Sequence, residues 1–109
     1  MTSQKLKKIK REIAAARRRS NSYRDLEKIA ILLERSQAKG PQARGKEPTF
    51  VSTVFPKINP ITIPRHPGRD VAIGTAKAIL NQLEEDVLRF ERMLQDNGGY
   101  KNGEDNEND

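Results

Sequence analysis

From Ala76 to Leu94 the chain carries apolar residues at Ala76, Leu80, Leu83, Val87, Phe90 and Leu94, with spacings of 4, 3, 4, 3 and 4. That alternation puts all six on one face of an α-helix and resembles the seam of a heptad repeat. Gly74-Thr75 offers a start and Asn97-Gly98-Gly99 a stop, since a hydroxyl caps the first turn and Gly ends the last. A helix of this length runs about 30 Å at 1.5 Å per residue. Its apolar face must be covered along that whole length. The cover is either a sheet and other helices of the same chain or a helix of a partner.

Upstream segments can supply the cover. Residues 3–19 read as a helix with a narrow apolar stripe of Leu6, Ile9, Ile13 and Ala16. Lys5, Lys7, Lys8, Lys10, Arg11, Arg17, Arg18 and Arg19 fill most of its remaining surface. Such a helix lies on an anionic surface, contacts nucleic acid or docks on the domain. Ser20-Asn21-Ser22 interrupts it. Ser22 and Asp25 have the three-residue spacing of a capping box, with Leu26, Ile29, Ala30 and Leu33 following as a core-facing stripe. This second helix is expected to reach Lys39-Gly40-Pro41. Residues 39–48 then read as a polar, basic, turn-prone loop. Thr49–Phe55 is rich in β-branched and aromatic residues and reads as a strand, and Ile61-Thr62-Ile63 as a second, stopped by Pro64. With the turn Pro56–Pro60 between them they pair as an antiparallel hairpin. The stretch 35–44 leaves room for a third strand.

These elements define an α+β fold, a small antiparallel sheet of two or three strands packed by helices. The expected organisation is a basic helix over 1–20, a domain over 21–97 and a disordered acidic tail over 98–109.

Charge is strongly segregated along the 109 residues. Residues 1–46 carry +10, residues 47–78 carry +2 and residues 79–109 carry −6, for a net +6. A basic front half is the footprint of a polyanion binder, because each cation placed on a phosphate releases counterions. With no Cys, disulfide frameworks and thiol chemistry are excluded. The single histidine, His66, rules out an all-His metal cage. The acidic residues Asp25, Glu27, Glu84, Glu85 and Asp86 fall on helices, and Glu84-Glu85-Asp86 reads as a solvated face rather than a metal site. No cofactor pattern is present. No apolar run reaches the ~18 residues of a membrane span, and the basic start lacks the apolar core of a secretory signal. A cytoplasmic protein is expected.

Residues Ile61 to Leu83 contain Pro64-Arg65-His66, Gly68-Arg69-Asp70, Gly74-Thr75 and Ile79-Leu80 in that order. The segment resembles the HicA toxin family, and the order of elements over about residues 24–94 is similar to that family's. The resemblance implies a fold like a double-stranded-RNA-binding domain (α-β-β-β-α), RNA as substrate, mRNA interferase activity and a HicB-type antitoxin partner. The helix 3–19 and the acidic tail lie outside it. The family's Gly-Ser-His-His motif corresponds here to Gly45-Lys46-Glu47-Pro48, so both of its histidines are absent.

Candidate RNA contacts are Lys39, Arg44, Lys46, Arg65, His66 and Arg69, together with Arg17, Arg18 and Arg19. Metal-free cleavage needs a base for the 2′-hydroxyl proton, an acid for the leaving oxygen and cations on the phosphate. Glu47 is the candidate base, His66 the candidate acid, and Arg65 or Arg69 the clamp. The alternatives are a non-catalytic RNA binder and a protein–protein adaptor that presents the 76–94 helix.

Overall fold

The structure, a computed structural model, describes residues 1–39 and 47–97. Among the described residues, three helices and three short strands follow in the order α1 (Ser3–Ala16), α2 (Tyr23–Leu32), β1 (Arg35–Gln37), β2 (Thr49–Ser52), β3 (Ile61–Thr62) and α3 (Ile73–Asp96). The sheet is antiparallel throughout, in spatial order β1-β2-β3. An α+β architecture is therefore what the chain adopts, and the third strand lies at the start of the 35–44 stretch. Glycine 40, Gly45 and the tail 98–109 lie outside the described residues.

The α3 face is covered by the chain itself. Ala76, Leu80, Leu83, Val87 and Phe90 are buried, and Leu94 packs at the margin of the same cluster. Leu6, Ile9, Ile13 and Ala16 of α1 are each at most 2% exposed and belong to that core too, with Leu26, Ile29 and Leu33 from α2 and its cap and Phe50, Ile61 and Ile63 from the sheet region. The core thus runs through the boundary drawn at residue 20. Full burial of three such aliphatic side chains contributes roughly 1.5–3 kcal/mol each before entropy, on the scale of a domain's net stability of ~5–15 kcal/mol. The 76–90 part of the seam is thus covered within the molecule.

Lys10 Nζ meets Glu91 at 2.9 Å, and Arg17 meets Glu84 and Asn81. Residue numbers rise along α1 as they fall along α3, so the two helices are antiparallel.

Where α2 ends differs from expectation. It stops at Leu32, not near Lys39; Leu33 caps it and Glu34 turns the chain with φ 63°. The Glu34 carbonyl accepts from the Thr53 N–H (3.1 Å) and hydroxyl (2.9 Å), which commits the chain to the sheet. The decisive partner is distant in sequence. Arg35 is buried against Asp86 of α3, with Nε to Oδ2 at 2.7 Å and Nη2 to Oδ1 at 3.0 Å. Asp86 is 1% exposed. It is not part of a solvated face, although Glu84 and Glu85 are exposed.

The capping box is present: the Ser22 Oγ accepts from the Asp25 N–H, and the Asp25 carboxylate accepts from the Ser22 N–H at 3.0 Å. β2 ends at Ser52, whose Oγ accepts from the Phe55 N–H at 2.9 Å. That local bond turns the backbone out of the ladder. Phe55 then packs edge-on against Phe90, with ring centroids 4.9 Å apart.

Candidate nucleic-acid interface

The register gathers one end of all three strands. Gln37 pairs with Phe50 and Thr49 with Thr62; beyond the ladder, Ala38 N–H donates to Thr49 O (2.7 Å) and Ile63 N–H to Pro48 O (3.0 Å). One step further on each strand lie Lys39, Glu47 and Pro64-Arg65-His66. Segments far apart in sequence therefore leave the sheet at a common end. Lys39 and Glu47 also bracket residues 40–46, so the candidates Arg44 and Lys46 lie outside the described residues.

From that end the chain makes an exposed turn. Arg69 N–H donates to His66 O at 3.0 Å, and Gly68 has φ 80°. Pro67 and Gly68 thus occupy the two central positions of a type II β-turn, where Pro presets the first angle and Gly tolerates the positive second one. No atom lies within 4 Å of where a Gly68 Cβ would stand, so the backbone angle alone calls for glycine. Buried Ile63 and Val71 bracket the turn, and Val71 N–H donates to Asn21 O at 2.8 Å. Residues 65–70 are all exposed.

The cations at this end are not equivalent. Arg65 is held by Glu27, with Nε and Nη2 at 2.8 and 3.0 Å from the two carboxylate oxygens, and lies 5.5 Å from the Tyr23 ring centroid. Its hydrogen bond to Glu27 raises the guanidinium pKa above its ordinary value. Arg24 stacks on the same ring at 5.7 Å, and its pKa is raised through its hydrogen bond to the Tyr23 hydroxyl. Arg65 therefore fastens the turn to α2 and has only part of its surface left for an external anion. Arg69 is exposed and has no ion pair or side-chain hydrogen bond among the described residues. It lines a concavity of about 240 Å³ with Pro64, His66, Asp70, Ala72 and Thr75.

Glu47 and His66 are both exposed at this end, and no hydrogen bond joins them. Lys39, Arg18 and Arg19 are exposed and carry no ion pair among the described residues. Arg17 is the exception in its triplet, because Glu84 and Asn81 engage it.

The start of α3 corrects the expectation drawn from Gly74-Thr75. The N-cap is Ala72, without a side-chain cap, and Thr75 is the third helical residue. The anchoring of Val71 on Asn21 fixes where the helix begins, and Ala76 N–H closes the first turn on Ala72 O at 2.8 Å. A second concavity, of about 260 Å³, is also lined by Val71, together with Arg17, Arg19, Asn21, Ile73 and Lys77 among others. The Asn21 amide donates to Ala16 O (2.8 Å) and Arg19 O (3.1 Å), joining α1 to the turn region.

Tyr23 and Glu27 were not singled out from the sequence as site residues. Their four-residue spacing on α2 marks a shared helix face, but nothing local names Arg65 as their partner. Among the described residues no group of three potential metal-ligating side chains stands together, and no helix is long and apolar enough to cross a membrane. The chain finds no match among protein-family models, curated proteins or solved structures.

Proposed function

We propose that this chain binds RNA of the HicA-toxin substrate class through the sheet end and its Pro64–Asp70 turn. The observation that carries the proposal is that Lys39, Glu47 and Pro64 leave three neighbouring strands at one end of the sheet, with exposed His66 and Arg69 on the turn that follows β3. The α2-β1-β2-β3-α3 order supports a fold of the double-stranded-RNA-binding type. A duplex read by its shape needs backbone cations more than base-reading groups. Few aromatic side chains are free for stacking, since Phe50 and Phe90 are core and Phe55 packs on Phe90.

The test is RNA affinity as a function of salt. Replacing a cation that neutralises one phosphate lowers the magnitude of the log–log slope by about 0.9 on a duplex. Arg69→Gln is expected to give that change. Arg65→Gln should give clearly less, because Glu27 already neutralises much of its charge. Equal slopes for the native protein and Arg69→Gln would remove the turn from the interface.

Cleavage is a further proposal on the same surface. Glu47 takes the 2′-hydroxyl proton as that oxygen attacks phosphorus, and His66 protonates the departing 5′-oxygen. Incubation of a defined RNA with purified protein in EDTA tests it: breakdown lost in both Glu47→Gln and His66→Ala supports the assignment. Intact RNA with the native protein leaves a binding protein without nuclease activity. A HicB-type antitoxin partner belongs to this proposal and is checked by co-purification with the product of an adjacent gene.

A further inference from the structure

The cations of α1 divide into two sets. At about 100° per residue, Lys10 and Arg17 fall on one flank of the helix, seven residues apart. They meet Glu91 and Glu84 of α3, also seven apart. This flank is neutralised within the molecule. Directly opposite the buried stripe of Leu6, Ile9, Ile13 and Ala16 lies another row: Lys7, Lys8 and Arg11, then exposed Ala14 and Ala15, then Arg18 just past the helix end. None of those four cations has an ion pair or side-chain hydrogen bond among the described residues.

Lys7 and Lys8 stand four and three residues before Arg11, so like charges are neighbours on one helix face. That arrangement opposes folding and is relieved when an external polyanion lies on it. The two alanines matter as well, because they leave the middle of the row low enough for a phosphate backbone to approach. From Lys7 to Arg18 the row is about 16 Å long at 1.5 Å per residue. It ends at the α1–α2 link, where Asn21 O accepts the N–H of Val71, two residues past Arg69.

We infer that the outward face of α1 is a second backbone track for RNA, continuous with the turn. The inference rests on the RNA-binding proposal and extends it to residues outside the HicA-like segment. A lipid surface fits the row less well. Interfacial helices insert an apolar face, and the apolar stripe of α1 is committed to the core at 2% exposure or less.

Two double variants with the same change in net charge test the face itself. Lys8→Gln with Arg11→Gln alters the outward row; Lys10→Gln with Arg17→Gln alters the neutralised flank. Binding of a fluorescent RNA duplex of about 20 base pairs is followed by anisotropy between about 50 and 200 mM salt, with circular dichroism confirming that both variants are folded. The outward pair is expected to lower the slope magnitude by about 1.8, at 0.9 per lost phosphate contact, and the flank pair by less than half of that. Equal effects of the two pairs would mean that only net charge matters and would overturn the track. So would a native slope retained by the outward pair. Vesicles of phosphatidylserine and phosphatidylcholine form the remaining arm. Vesicle binding abolished by the outward pair, with RNA binding intact, assigns the row to a membrane and overturns the inference. A native protein without any RNA affinity refutes the RNA proposal itself, and the track with it.

Discussion

Removing the Asp86 carboxylate should be among the most destabilising single changes available to this protein. Arg35 and Asp86 have side chains only 2% and 1% exposed, and both carboxylate oxygens accept from the guanidinium. The remaining Arg35 nitrogen, Nη1, donates to Phe50 O at 3.0 Å and Asn59 O at 3.2 Å. In Asp86→Ala those last two bonds persist, while a buried positive charge loses its counter-charge and the two acceptors of its Nε and Nη2 donors. The cost expected for breaking a buried pair in this way is about 3–5 kcal/mol. Arg89, which also reaches Asp86 at 3.3 Å, is partly exposed and adds little. Urea unfolding with unchanged m-values is the appropriate assay, since it separates a stability change from a change in the denatured state. Replacing both partners with apolar residues, Arg35→Met with Asp86→Leu, should cost far less than Asp86→Ala alone, because no charge is then left unpaired. A loss below ~1 kcal/mol for Asp86→Ala, the value of a surface pair, would refute the reasoning. So would a double variant as unstable as the single one. The pair also bears on the interface: Arg35 opens β1, and Lys39 follows that strand at the sheet end.

Smaller changes follow from the caps and the turn. Ser22→Ala removes the hydroxyl half of the capping box and should cost about 1 kcal/mol in the same urea assay. Ala72→Ser places a hydroxyl at the uncapped start of α3 and should raise stability by roughly 0.5–1 kcal/mol. Gly68→Ala forces an L residue to φ 80°; it should cost about 1 kcal/mol or more and weaken RNA binding by displacing Arg69.

The three amphipathic helices could be read from neighbouring residues, because their physics is local. The period of Ala76–Phe90 specifies which face of α3 is buried, and Ser22 with Asp25 specifies where α2 starts. The α2 end was misplaced because helical periodicity does not register a competing partner 51 residues away. The Gly74-Thr75 start was misplaced for the same kind of reason, since a hydrogen bond from Val71 to Asn21 overrides a weak capping signal.

The candidate interface divides along the same line. Composition and order established that the front of the chain is cationic and that arginines cluster at residues 17–19 and 65–69. Which of those cations remain open to a partner was settled by packing. Glu27 takes Arg65, Glu84 takes Arg17 and Glu91 takes Lys10, whereas Arg69 and the outward row of α1 keep their charge exposed. Charge is a property of the residue, but its neutralisation depends on distance. Distance between residues this far apart in sequence exists only once the chain has folded.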